Sequence, residues 1–183
     1  MKKLFILFLL LPILVSGQDL TIKSGSSITI GKTSYIKVSG NFFNSGTVTL
    51  NSDSDEFSSI IVSGTATGNI IYNRYVNQVG TGEWDLIGSP VSGLTINSFI
   101  TETNNASAIA RNGSLYAVGS YDNFSDTWTN ATTATTGSLN LGQGYQMATT
   151  SGGTLVFTGT VATENQTIPI QNNDTANSDV GRR

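Results

Sequence analysis

From Leu20 onward, short triplets of the form apolar, polar, apolar recur along the chain: Leu20-Thr21-Ile22, Ile28-Thr29-Ile30, Ile36-Lys37-Val38 and Val48-Thr49-Leu50. In an extended backbone successive side chains point to opposite faces, so each triplet puts two large apolar side chains on one face and a Thr or Lys on the other. That is the pattern of a half-buried strand, and no stretch sustains the 3.6-residue period of an amphipathic helix. Between the triplets stand Gly25, Gly31, Gly40 and Gly46 among Asn and Ser, residues that reverse a chain at little steric cost. The chain is therefore expected to be all-β.

The triplets return roughly every 8 to 12 residues and pairs of them roughly every 20, which leaves two architectures for residues 18–76. One is an antiparallel sandwich and the other a few rungs of a β-solenoid. The solenoid is favoured, with Gly40-Asn41 and Asn44-Ser45-Gly46 as rung corners and the apolar end of so short a stack covered by a neighbour. A boundary is expected after Val76, across Asn77 to Gly82. Beyond it the strands are longer and carry aromatics: Trp84 to Ile87, Leu115 to Val118, Thr127 to Thr129, Tyr145 to Ala148 and Thr154 to Val161. Their spacing predicts a β-sandwich over residues 83–170, with one short helical turn within Leu94 to Ile100. The polar run 171–183 has nothing to bury and is expected to be disordered.

Residues 1–17 read as a secretory signal peptide: Lys2 and Lys3, then an uncharged stretch from Leu4 to Val15, then Ser16 and Gly17. The stretch is shorter than the ~20 residues a bilayer-spanning helix needs and contains Pro12, so cleavage after Gly17 is expected, with no membrane insertion afterwards. Export places the mature chain outside the cytoplasm, secreted or at the cell surface. The net charge is −3 and the cations are scattered, which argues against a nucleic-acid partner because phosphate binding needs a concentrated basic face. Cysteine and histidine are both absent. Disulfides, thiolate and imidazole metal sites, and Ser-His-Asp or cysteine nucleophiles are thereby excluded.

The stretch Gly82-Glu83-Trp84-Asp85-Leu86-Ile87-Gly88-Ser89-Pro90-Val91-Ser92-Gly93 resembles a module of secreted surface proteins of Bacteroidetes-type bacteria. Tyr121-Asp122 with Asp126-Thr127-Trp128, Leu141-Gly142-Gln143-Gly144-Tyr145, and Gly152-Gly153-Thr154 leading into Phe157-Thr158-Gly159 extend the likeness over most of the chain after Val76. In that family a β-rich N-terminal stretch precedes β-sandwich modules, and a C-terminal sorting domain for type IX secretion ends a longer protein. The segment from Asn173 to Arg183 looks like the approach to a further module, which implies that the chain is an N-terminal fragment.

Candidate sites are few. Glu83 and Asp85 flank Trp84 on one strand face, a pairing that glycoside hydrolysis could use, but hydrolases gather their two carboxylates from opposite sides of a cleft. Solvated carboxylates are the expected reading. Asp53, Asp55 and Glu56 form the densest acidic cluster and are a candidate calcium site, with Asp122, Asn123 and Asp126 as a second. Trp84, Tyr116, Tyr121, Trp128 and Tyr145 are candidates for a flat sugar platform. Trp84 is expected in the core, whereas Trp128, with Tyr121 and Asp126 beside it, is the better ligand-binding group. Asn-x-Ser/Thr triplets begin at Asn105, Asn112, Asn123, Asn130, Asn165 and Asn173. The expected function is a non-catalytic, structural or adhesive module of a larger secreted protein, its partners glycans or other cell-surface proteins. The alternative is a carbohydrate-binding module acting through Trp128. No cofactor is expected beyond calcium.

Overall fold

The computed structural model describes residues 17–80, 84–123 and 125–168. The expected leader over residues 1–17, apart from Gly17, lies outside these residues, as do Glu83 and the tail 171–183. Residues 17–80 hold β1 (Leu20–Ile22), β2 (Ser27–Ile30), β3 (Tyr35–Val38), β4 (Phe42–Asn44), β5 (Thr47–Asn51), β6 (Ser59–Val62), β7 (Ala66–Thr67) and β8 (Asn69–Val76). Then come β9 (Asp85–Gly88), helices α1 (Ile96–Thr101) and α2 (Thr103–Ala108), β10 (Arg111–Asn112), β11 (Leu115–Tyr116), β12 (Val118–Asp122), β13 (Thr127–Asn130), β14 (Gly144–Met147) and β15 (Gly153–Thr160). The protein is all-β, as the alternation implies, with two six-residue helices where one helical turn was expected.

Every strand pair within β1 to β8 is parallel. β1, β4 and β7 form one ladder, β2, β5 and β8 a second, and β3 and β6 a third. Register brings like side chains together: Ile30, Leu50 and Tyr72 are consecutive partners across β2, β5 and β8, and all three are buried. Val38 and Val62 do the same across β3 and β6. Corners repeat as well. Asp19 accepts the Asn41 backbone N–H at 2.7 Å, and the Asn41 side chain accepts the Thr65 N–H at 3.0 Å. The Gly40-Asn41 turn lies between β3 and β4, and Ser45-Gly46 lies between β4 and β5.

β8 changes the architecture. It pairs in parallel with β5 and antiparallel with β15 over all eight of its residues, from Asn69 opposite Thr160 to Val76 opposite Gly153. The result is a mixed sheet in the order β15-β8-β5-β2. A second, antiparallel sheet has the order β13-β12-β14-β9. The helices pack on β15, where the Phe99 and Phe157 rings lie 4.5 Å apart between centroids. Asn105 of α2 is fully buried and bonds the backbone of Val156 in both directions. A single hydrophobic cluster runs from Ile22 to Val161.

Candidate functional site

The β12–β13 hairpin brings together the three residues singled out as ligand-binding. Tyr121 and Trp128 are direct cross-strand partners, and partners on an antiparallel pair project from the same face. Their ring centroids lie 5.0 Å apart at an interplanar angle of 51°. Each keeps a substantial exposure, 39% for Tyr121 and 43% for Trp128. Asp126 adopts a left-handed backbone, φ 55°, a conformation that Asp tolerates better than most residues. The Tyr121 hydroxyl donates to its carboxylate. Ser125 donates to Asp122 at 2.9 Å, so the turn is cross-braced by its own polar side chains. The two rings form an angled notch with the Asp126 carboxylate at its edge.

The remaining aromatics point elsewhere. Tyr116 and Tyr145 are buried, Tyr116 under the guanidinium of Arg111 and Tyr145 with its hydroxyl accepting the Asn140 N–H at 2.8 Å. Burial pushes the Tyr145 phenol above its ordinary value, and it does the same to Tyr72. Trp84 is partly buried against the core. Asp85 accepts the Asn77 backbone N–H at 2.7 Å and its side-chain N–H at 3.0 Å, which fixes the carboxylate as a brace on the chain entering β9. Its expected companion Glu83 lies outside the described residues.

At the acidic cluster, the Lys32 ammonium meets both Asp53 and Glu56, the latter at 3.1 Å. Asp53 also accepts the backbone N–H groups of Asp55 and Glu56, while Asp55 is turned toward Ser54. Hydrogen bonds from Lys32 and these amides lower the Asp53 carboxyl to about 2, and the same pair of carboxylates raises Lys32 to about 12. Among the described residues no group of three His, Cys, Asp or Glu side chains converges as a metal-holding set. Asn105, the first residue of one Asn-x-Ser triplet, is fully buried, so its amide is out of reach of a glycosylating enzyme in the folded protein.

One feature escaped the sequence reading. A cleft of about 390 Å³ opens between β8, β6 and the loop after β9, with Ser58, Tyr72, Arg74, Ser89 and Pro90 in its wall. The signal was present in β8, where Ile70, Tyr72, Arg74 and Val76 occupy one strand face and Arg74 is the only charge in an otherwise apolar row. Comparison of the chain with protein-family models, with curated proteins and with solved structures returned no match.

Proposed function

We propose that the chain is a non-catalytic structural or adhesive module acting outside the cytoplasm, part of a larger secreted or cell-surface protein of the Bacteroidetes type that uses type IX secretion. The observation that carries this reading is the presentation of Tyr121 and Trp128 at the end of a braced hairpin on a continuous β frame. An exposed aromatic pair supplies contact area to a partner at small entropic cost, since each ring has few torsions to immobilise. The reading is further supported by where the acidic groups go. Asp53 and Asp85 hold turns and strand entries through hydrogen bonds, which is structural work.

The parallel ladders of β1 to β8 support a second inference, that residues 18–76 are the rungs of a short β-solenoid whose open end is covered through β8 and β15. Such a frame is a stiff spacer. A carbohydrate-binding role is favoured by the same notch, where an apolar ring face stands beside the Asp126 carboxylate, the combination that grips a sugar's C–H face and its hydroxyls.

Two experiments test these readings. N-terminal sequencing of the protein from its native cell should find a chain starting at Gln18 in the surface or medium fraction; an uncut chain in the cytosol would sink the reading. Beads coated with the protein should adhere to cell surfaces or to immobilised glycans, and Tyr121→Ala with Trp128→Ala should reduce adhesion at least fivefold. Undiminished adhesion by the double variant would remove the hairpin from the account.

A further inference from the structure

We infer that the cleft beside Arg74 is a binding site for an anionic sugar, with the Arg74 guanidinium receiving the sugar's carboxylate. This site is separate from the Tyr121–Trp128 notch and stands on different residues.

Arg74 lies in the inward row of β8 between Tyr72 and Val76, where strand geometry aims its side chain at the same side as the core. A guanidinium is always charged, and removing it from water without a partner is costly, so a half-buried arginine is ordinarily met by a carboxylate. Here its partner is an aromatic ring. The guanidinium carbon lies 3.9 Å from the centroid of Phe57, and Arg74 takes no part in the ion pairs that join Lys32 to Asp53 and Glu56. A guanidinium over a ring is stabilised through its face and keeps its in-plane N–H groups for a second partner, the geometry that takes a carboxylate through two parallel hydrogen bonds.

The rest of the wall specifies what carries that carboxylate. Tyr72 donates its hydroxyl hydrogen to the Ser58 carbonyl at 3.0 Å, Ser58 donates to the Asn51 carbonyl at 2.8 Å, and Ser89 donates to the Val91 carbonyl at 2.6 Å. With each hydrogen committed to backbone, the hydroxyl oxygens are left as acceptors, Ser89 with one lone pair because it also accepts the Val91 N–H at 3.4 Å, and acceptors suit a ligand rich in O–H donors. Pro90 and Leu141 add apolar surface for the C–H face of a ring. A cleft of about 390 Å³ is in the range of small-molecule sites and holds one sugar unit with its neighbours projecting outward. Hydroxyl donors, a ring and one negative charge together describe a uronic acid within a chain; a sulfated sugar presents the same charge with a different shape.

The test is a titration of the whole protein with trigalacturonate, with neutral galactotriose and with a sulfated galactose oligomer, followed by calorimetry and by the Arg74 Nε–H and Trp128 indole N–H resonances. Trigalacturonate should bind and move the Arg74 resonance. Galactotriose should bind at least tenfold more weakly, and the sulfated oligomer less tightly than the uronate. Arg74→Met should weaken trigalacturonate binding at least tenfold while leaving the thermal transition in place, and Arg74→Lys should fall in between because an ammonium cannot make the two parallel bonds. Absence of any trigalacturonate binding, equal binding of galactotriose, a resonance shift confined to Trp128, or an Arg74→Met protein that binds as tightly would each overturn the assignment. The resonance measurement needs no variant, so it decides the matter even where Arg74→Met does not fold.

Discussion

Asn105 shows how a single polar side chain can organise an element that has little else to hold it. It is the one buried residue of α2, and its amide donates to the Phe99 and Val156 carbonyls, each at 2.9 Å, while its carbonyl accepts the Val156 N–H at 2.7 Å. Removing it takes the partner from three backbone groups at once, the Phe99 carbonyl and both groups of Val156. Asn105→Ala is expected to destabilise the protein by about 3 kcal/mol, measured by urea unfolding, whereas an exposed neighbour such as Asn104→Ala should cost no more than about 0.5 kcal/mol. The titrating groups set a pH window in the same local way. Lowered Asp53 contributes stability that is complete above the ordinary carboxylate range and is lost as pH falls through about 2. Raised Lys32 and the raised phenols of Tyr72 and Tyr145 act at the other end: their contributions are complete below their ordinary values and are lost as pH rises past them, for Lys32 through about 12. Thermal stability should therefore be nearly flat between pH ~4 and ~10, on ordinary carboxyl and phenol values, and fall on both the acid and the alkaline side. Tyr145→Phe should soften that alkaline fall, and an unchanged slope would remove the buried phenol as its cause.

At the scale of elements, the corners carry the stringent requirements. Gly68, between β7 and β8, has φ 80°, and a Cβ there would lie 1.9 Å from the carbonyl oxygen of Asn44, the last residue of β4. Gly25 has the same φ, but a Cβ on it would meet nothing within 4 Å. The two positions thus separate backbone strain from crowding. Gly25→Ala should cost about 1 kcal/mol from the left-handed conformation alone, and Gly68→Ala at least twice that or no folded protein, read as thermal midpoints. The same corners explain what could be read in advance. Period-two triplets are local, so β1, β2, β3 and β5 stood out, and the hairpin of Tyr121 and Trp128 was marked by aromatics on either side of a polar turn. α2 was invisible because Thr-Asn-Asn-Ala-Ser-Ala has no apolar stripe; its start is fixed by the Glu102 carboxylate accepting the Asn104 and Asn105 N–H groups, and its face by Asn105. Arg74 was passed over as one scattered cation among several, although its place in the Ile70, Tyr72, Val76 row set it apart.

Across the whole molecule the decisive contact is one that no local pattern announces. β15 has the alternation of a strand, but its choice of β8 as partner joins residues that stand far apart in sequence, from Val76 with Gly153 to Asn69 with Thr160. Thr149 reinforces the junction by donating its hydroxyl to the carbonyl of Val76 or Asn77, both 3.0 Å away. Because the two stretches share a sheet and a hydrophobic cluster, they should unfold together, as small domains with one core do. Leu155→Ala, at a fully buried position opposite Arg74 on β15, should cost about 3 kcal/mol and lower the stability of both stretches equally. The frame's coupling is tested most directly by native-state hydrogen exchange resolved by residue. The account predicts that the slowest amides lie in β5, β8 and β15 and exchange with one common opening free energy equal to that of global unfolding. Two separate plateaus, one for residues 18–76 and a different one for 84–160, would contradict it.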